Sequence, residues 1–294
     1  DIATSTNNNY PRLLLIPSFI TEEKGVERLQ YVIKTISEVI DPDFAFFVND
    51  HTFVIPEHLC DYLIGSNPDE DIYAGHAMKD RGNDFAFNSG AAGYILSRVT
   101  MKRLGKKWSE KDPECTAENA PAFIQGNPGL VTARCLSHIL HVSALDTRDE
   151  YGRHRFHAFG LVRVIAGKVD DWYNKKHETL DGVLGVDNVH HHKLQSGTLC
   201  CAPRTVSFHY VEGSETRSLF EVRKRLKEEP TISDDELKKF MQKVWPAERK
   251  EIGFYAHGLP NDDSTSWENI LQVMRMISSN EHNDGLDNMA GVHC

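Results

Sequence analysis

Two short polar motifs of this sequence contain residue types that can bind a metal ion. Asn49, Asp50 and His51 are consecutive, and a carboxylate beside an imidazole is a donor set that Mn²⁺ accepts. On residue type and spacing alone, these residues fit a solvated turn that closes a strand, with the metal site as the alternative. His209 is isolated in an apolar run, where it is either a partly buried core histidine or a ligand that needs a partner from elsewhere in the chain.

An aromatic pair and a histidine triplet are further candidates for a binding role. Trp172 and Tyr173 could form a platform for a sugar ring, because aromatic faces pack well on C–H surfaces, or they could anchor a core or a loop. The run His190-His191-His192 consists of adjacent side chains, which cannot all converge on one ion, so a polar surface loop over residues 174–199 is the preferred interpretation.

These residues need strands and helices that position them. Phe44 to Val48 is apolar on both faces, as in an interior strand, and it leads directly into Asn49, where α/β sheets bind their ligands. With an apolar run at residues 12–16 and an amphipathic helix over residues 21–40, it predicts a βαβ unit. The small residues within 88–97 let backbone or ligand approach closely before a helix. The sequence further predicts helices over 56–64, from 130 to 140 and beyond 216, and strands over 72–75 and 205–211.

Composition and charge exclude several classes of protein. The 294 residues include 33 Lys and Arg against 43 Asp and Glu, for a net charge of −10, and 40% are hydrophobic. This balance is typical of a globular chain rather than a disordered one. Nucleic-acid binding is disfavoured because the basic residues do not cluster beyond Arg223-Lys224-Arg225. Apolar runs stay far below the roughly 18 to 20 residues that span a bilayer. The chain starts at Asp1 and not at Met, so we expect a processed or truncated form from which a signal or anchor has been removed.

Six cysteines allow either three disulfides or six free thiols, and their spacing does not decide between these states. They lie at positions 60, 115, 135, 200, 201 and 294, without a CxxC pair. Cys200 and Cys201 are adjacent and are not expected to bond to each other easily. If both are oxidised, the sequence therefore predicts two different partners for them.

Several segments, taken in order, resemble glycosyltransferase family 31. The resemblance is strongest to its branch that adds galactose from UDP-galactose to O-linked GalNAc. Any one of these motifs is weak, and their order over about residues 10–228 is what makes them specific. The segments are Phe47–Val54, Asp71–Gly75 with Asn88–Ser97, Ala133–Leu136, Asp146–Asp149, and Cys200-Cys201 with Val206–Val211.

The resemblance implies a GT-A fold, which is an α/β nucleotide-binding sheet, in the lumen of the Golgi or endoplasmic reticulum. The family's acidic DxD motif binds Mn²⁺ and through it the diphosphate of the UDP-sugar. Here its three positions hold Asn49, Asp50 and His51. By this resemblance the metal ligands are Asp50, His51 and His209, and the substrate-binding residues are Asn49, Trp172 and Tyr173. It also makes Cys115–Cys135 a plausible disulfide and one of Cys200 or Cys201 a candidate for another.

Three departures from the family pattern concern donor binding and catalysis. Only the central Asp50 of the acidic triplet remains. The family's catalytic base, an Asp six residues before the position of Cys135, corresponds here to Gly129, which cannot accept a proton. The nearest preceding carboxylates, Glu114 and Glu118, are not placed in the site by any motif. The family's first strand, which holds the uridine, would precede the start of this chain.

The sequence therefore predicts an α/β protein of GT-A type over residues 1–228, with a C-terminal helical appendage over residues 229–294. The first hypothesis is a glycosyltransferase-like protein whose reference reaction transfers galactose from UDP-galactose, with Mn²⁺, to a glycoprotein acceptor. The alternative is a non-catalytic chaperone, partner subunit or structural component, because the family includes a dedicated chaperone that lacks the metal and base motifs. A lumenal or secreted location is expected, with homo- or hetero-oligomerisation possible.

Overall fold

The fold is known from a computed structural model. It describes residues 2–3, 13–14, 16–21, 23–80, 83–169, 172–173, 194–245 and 266–279. The predicted histidine triplet at 190–192 and most of the predicted loop over 174–199 lie outside these residues. Within them the chain is mixed α/β, as the sequence predicts. The helices are α1 Gly25–Thr35, α2 Pro56–Leu63, α3 Arg98–Ser109, α4 Pro128–His138, α5 Leu161–Ile165, α6 Gly213–Glu228, α7 Asp234–Val244 and α8 Ser266–Ser278.

Two sheets form the centre of the described chain. One has the strand order β3-β8-β5-β9, with only β5 and β9 parallel. The other has the order β10-β11-β4, with β10 and β11 parallel and β4 antiparallel to β11. The strands are β1 Ile2–Ala3, β2 Leu13–Leu14, β3 Phe44–Phe47, β4 Thr52–Val54, β5 Tyr73–Gly75, β6 Ala77–Met78, β7 Phe87–Asn88, β8 Tyr94–Ser97, β9 Leu145–Asp146, β10 Phe156–His157 and β11 Ser207–His209.

The predicted βαβ unit at the start of the chain is wrong for the described residues. β2 pairs antiparallel with β1, and β3 lies in another sheet, antiparallel to β8. Gly93 makes this second pairing possible. Its φ of +86° suits glycine, and a Cβ there would lie 2.5 Å from the Phe46 ring and 2.6 Å from Val48. The small-residue stretch therefore permits a close backbone approach, as predicted, but it leads into a strand before helix α3 begins.

The predicted helices and later strands agree with the structure to within a few residues. Helix α2 begins at Pro56, which occupies the first turn, where its missing N–H is tolerated. Helix α4 begins two residues before the predicted start because Asn127 caps it, with Oδ1 accepting from the Leu130 N–H at 3.1 Å. Strand β11 covers the centre of the predicted run. These elements hold the ends of the strands that carry the candidate residues.

The C-terminal region contains the two helices α7 and α8 among its described residues. Both pack against α6, and α8 also contacts α5. Their apolar faces join the main hydrophobic core through buried residues such as Leu237, Met241, Trp267, Ile270 and Met274. The division of the chain at residue 228 stays a prediction.

Candidate functional site

The Asn49–His51 turn closes strand β3 and is held by its own asparagine. Asn49 Oδ1 accepts from the His51 backbone N–H at 3.1 Å and from Thr52 Oγ1 at 2.9 Å. Such a side-chain bond to the backbone two residues ahead is the usual stabilisation of an asparagine turn. The local sequence therefore fixes the path by which the chain leaves β3 and enters β4.

The same turn is joined to the end of β11. Thr52 and His209 are directly paired across β4 and β11, and Thr52 Oγ1 lies 3.3 Å from His209 Nδ1. The Val211 N–H donates to the His51 carbonyl at 3.0 Å, and Thr52 Oγ1 lies 2.8 Å from the Ala91 carbonyl. Two predicted site segments that are 157 residues apart in sequence thus meet at one corner of the molecule.

His209 is the buried member of this corner, with 4% of its surface exposed. Burial lowers the pKa of His209 to about 4, with a further lowering by His51 and an opposing effect of Asp50. The imidazole is therefore neutral at neutral pH, which is the form that can bind a metal or accept a hydrogen bond.

Asp50 and His51 are open to solvent, with 91% and 62% of their side chains exposed and 3.9 Å between Asp50 Oδ1 and His51 Nε2. Their chemistry, together with the neutral His209, would suit Mn²⁺. However, in the part of the chain that the structure describes, three or more His, Cys, Asp or Glu side chains are nowhere grouped so that they could hold a metal ion. The predicted ligands share a neighbourhood but do not converge on one point.

An aromatic cluster links the corner to the predicted sugar platform. The His209 ring lies 4.0 Å from Tyr210, and Tyr210 lies 6.0 Å from Phe159, all between ring centroids. Phe159 in turn lies 5.9 Å from Trp172 and 5.0 Å from Tyr173. Trp172 is 40% exposed and Tyr173 is fully buried. Of the predicted pair, only Trp172 is exposed, and three successive ring contacts connect it to His209.

Sequence reasoning missed His76, which directly follows strand β5. Tyr173 Oη lies 2.7 Å from His76 Nε2, and His76 Nδ1 lies 2.6 Å from the Phe156 carbonyl. The signal was available, because His76 follows the carboxyl end of a strand just as Asn49 does. Arg148 shows the same pattern after β9, the parallel neighbour of β5, with its Nε 2.8 Å from Asp146 Oδ1.

Helix α4 carries Gly129, the position that the sequence resemblance aligns with a catalytic base. Gly129 lies in the first turn, beside the cap residue Asn127. Glu114 binds farther along the helix, with Oε2 at 2.5 Å from Arg134 and 3.3 Å from His138 Nδ1. Glu114 is therefore held away from the first turn, and the base remains unassigned.

The disulfides confirm one prediction and correct another. Cys115 and Cys135 are bonded to each other, as the resemblance implies. Cys200 and Cys201 are also bonded to each other, so the prediction of two different partners is wrong. Their Cα atoms are 3.7 Å apart, and both side chains are fully buried and turned toward each other. Cys60 is disulfide-bonded as well. These bonds fit an oxidising compartment, lumenal or extracellular.

Comparison with known proteins supports a relationship to glycosyltransferases. Glycoprotein-N-acetylgalactosamine 3-beta-galactosyltransferase 1 of Xenopus laevis is 25% identical over 183 residues, which cover 61% of this chain and 44% of that protein. The match thus spans less than half of the relative's length. No protein-family model matches the chain. The mixed α/β architecture is consistent with a glycosyltransferase-like fold. None of the described helices is long and apolar enough to cross a membrane.

Proposed function

We propose that this chain is a glycosyltransferase-like protein that binds a UDP-sugar at the corner formed by the Asn49–His51 turn, His209 and Trp172. The reference reaction is transfer of galactose from UDP-galactose to an O-linked glycan of a glycoprotein. The observation that carries the proposal is the pairing of Thr52 with His209, which brings two family-like motifs together.

The roles of the residues follow from their exposure. Trp172, with 40% of its residue surface exposed, offers an aromatic surface for the apolar face of a sugar. Asp50 and His51 are free to turn toward a bound group, and His209 presents a neutral imidazole beside them. A bound Mn²⁺ would offset the charge of the departing UDP. Mn²⁺ binding by Asp50, His51 and His209 stays a prediction, and donor binding is proposed independently of it.

Titration calorimetry tests donor binding. UDP is titrated into the protein with and without Mn²⁺, at ligand concentrations up to the millimolar range. We expect binding by the wild type and its loss in a double variant, Asp50→Ala with His209→Ala. Binding that depends on Mn²⁺ would support the predicted ligand set.

The control for this titration is Asp235→Ala, which removes another exposed carboxylate, from the first turn of α7. This variant should bind UDP as the wild type does. Failure of the wild type to bind at millimolar UDP, with or without Mn²⁺, would contradict the proposal.

A non-catalytic role is the second candidate, and Gly129 is the observation that favours it. Without a carboxylate in the first turn of α4, the acceptor hydroxyl lacks the general base that is worth about 10² to 10⁴ in rate. The protein would then bind a donor or a protein partner without transferring sugar. An assay with UDP-galactose and an O-GalNAc peptide distinguishes the two roles.

The substitution Gly129→Asp sharpens this assay. A Cβ at Gly129 would meet its nearest atom, Asn127 Oδ1, at 3.4 Å, and a carboxylate in the first turn of a helix is favourable. If only the base is missing, Gly129→Asp should produce measurable transfer. The control Gly126→Asp adds the same group where a Cβ has open space and should produce none.

The compartment and partners follow from the same proposal. We propose a lumenal protein of the Golgi or endoplasmic reticulum, or a secreted one, with a glycoprotein as acceptor or partner. Non-reducing peptide mapping should find Cys115 joined to Cys135 in protein from its native source. Free thiols at both positions would contradict this location.

A further inference from the structure

Trp172 and Tyr173 are neighbours in sequence with opposite environments. Trp172 has 40% of its residue surface exposed, whereas Tyr173 is fully buried. The two rings meet edge to face at 5.8 Å between centroids, and both contact Phe159. Tyr173 therefore packs against Trp172 on the buried side and cannot contact a ligand itself.

The hydroxyl of Tyr173 has a defined partner. A carbonyl oxygen can only accept, so the 2.6 Å contact between His76 Nδ1 and the Phe156 carbonyl requires a proton on Nδ1. Burial lowers the pKa of His76 to about 4, so the ring is neutral at neutral pH and Nε2 is an acceptor. Tyr173 Oη, 2.7 Å away, therefore donates to His76 Nε2.

His76 is in turn fixed by two other parts of the fold. It directly follows β5, its Nδ1–H is bound to the backbone of β10, and its ring stacks on His154 at 4.6 Å. Only 1% of its surface is exposed. A buried imidazole with both nitrogens bonded has one orientation, which makes it a rigid support for Tyr173.

We propose that His76 and Tyr173 are positioning residues that hold the Trp172 ring at the candidate sugar site. The chain of contacts runs from the end of β5 through the His76–Tyr173 hydrogen bond to the ring of Trp172. The statement that Trp172 meets a sugar rests on the proposed function, whereas the way in which Trp172 is held in place does not. The position of Trp172 can be measured in the absence of any ligand.

The test uses Tyr173→Phe, which deletes one hydroxyl and keeps the ring. Acrylamide quenching of tryptophan fluorescence reports Trp172 most strongly, because Trp245 and Trp267 are 2% and 4% exposed and Trp108 is partly buried. A Trp172→Phe variant measures the background from these three residues. We expect the quenching constant of Trp172 to rise about twofold. We also expect affinity for UDP-galactose to fall by roughly three- to tenfold, the effect of one lost hydrogen bond.

The matched control is Tyr73→Phe. Tyr73 is also buried, its hydroxyl accepts from the Asn88 N–H at 2.7 Å, and its ring packs on Tyr94. This variant loses a comparable hydrogen bond outside the Trp172 cluster and should leave Trp172 quenching unchanged. Equal quenching in the two variants would overturn the inference.

A second variant removes the acceptor of the hydrogen bond between Tyr173 and His76. His76→Leu removes the acceptor, and it should raise Trp172 quenching as Tyr173→Phe does. In the double variant His76→Leu with Tyr173→Phe, the quenching constant of Trp172 should be no higher than in either single variant, because all three variants lack the same hydrogen bond. Additive effects would contradict a shared role. If the wild type does not bind UDP-galactose, the proposed function fails, while the quenching results still decide how Trp172 is held.

Discussion

His76 and Glu215 are both buried ionisable groups, but only His76 has a hydrogen-bond partner for each of its polar side-chain atoms. His76 has a partner for each ring nitrogen. Glu215, in the first turn of α6, is 6% exposed, and its Oε1 makes no hydrogen bond within the described structure. Burial, followed by the charge of Glu212, raises the pKa of Glu215 to about 8, against a smaller opposing effect of the Glu212 backbone.

The contrast teaches that burial alone does not make a polar group stabilising. A buried group with all its partners adds to stability and fixes geometry, whereas a buried polar atom left unpaired, such as Glu215 Oε1, costs about 1 to 3 kcal/mol. The two groups also respond to pH with opposite signs. Protonation of His76 opposes folding as pH falls from about 6.5 to about 4, and ionisation of Glu215 opposes folding as pH rises from about 4.5 to about 8.

The largest expected effect is that of His76→Leu on stability. It leaves the Tyr173 hydroxyl and the Phe156 carbonyl without their partner, so the free energy of unfolding should fall by about 2 to 4 kcal/mol. Urea denaturation followed by circular dichroism, with the disulfides intact, measures this loss. Adding Tyr173→Phe should recover about 1 kcal/mol, since one unpaired group is then removed. A loss below about 0.5 kcal/mol in the single variant would show that the two hydrogen bonds do not stabilise the fold.

Glu215→Gln should instead increase the free energy of unfolding. Unfolded glutamate ionises near pH 4.5 and Glu215 near pH 8, so the native protein loses stability across this window as pH rises. One pKa unit corresponds to about 1.4 kcal/mol, and structural relaxation reduces the total. We expect Glu215→Gln to gain roughly 1 to 3 kcal/mol at pH 8 and little at pH 5.

The control for this pH dependence is Glu268→Gln, at an exposed glutamate in the first turn of α8. As for most exposed side chains, this substitution should change the free energy of unfolding by less than about 0.5 kcal/mol at both pH values. If Glu215→Gln raises the free energy of unfolding equally at pH 5 and pH 8, the ionisation of Glu215 is not the cause of the gain.

Elements that are determined by their own local sequence could be predicted. Apolar spacing predicted α4, and Pro56 marked the start of α2, so both helices lie nearly where expected. The two-residue error at the start of α4 arose because the Asn127 cap was not recognised. The turn at Asn49 was placed correctly because it follows an apolar strand directly. Local rules suffice where the local sequence determines the conformation.

Pairing between distant segments could not be obtained in that way. β3 pairs with β8 beside Gly93, where a Cβ would clash with the Phe46 ring. Likewise, His76 acquires its role through Phe156 and Tyr173, which lie 80 and 97 residues away in sequence. The bond between Cys200 and Cys201 was rejected on average disulfide geometry, although adjacent residues can adopt it.

The smallest expected change in stability comes from the open side of the candidate site. Asp50 and His51 are mostly exposed, and their side chains are 3.9 Å apart, so solvent screens their interaction. Asp50→Ala and His51→Ala should therefore change the free energy of unfolding by less than about 0.5 kcal/mol. If the proposed donor site exists, the same substitutions should still weaken UDP binding, measured by calorimetry. Loss of UDP binding without loss of stability would indicate that these side chains contact the ligand. A parallel loss of both would instead indicate that the turn is a structural element, like the buried residues behind it.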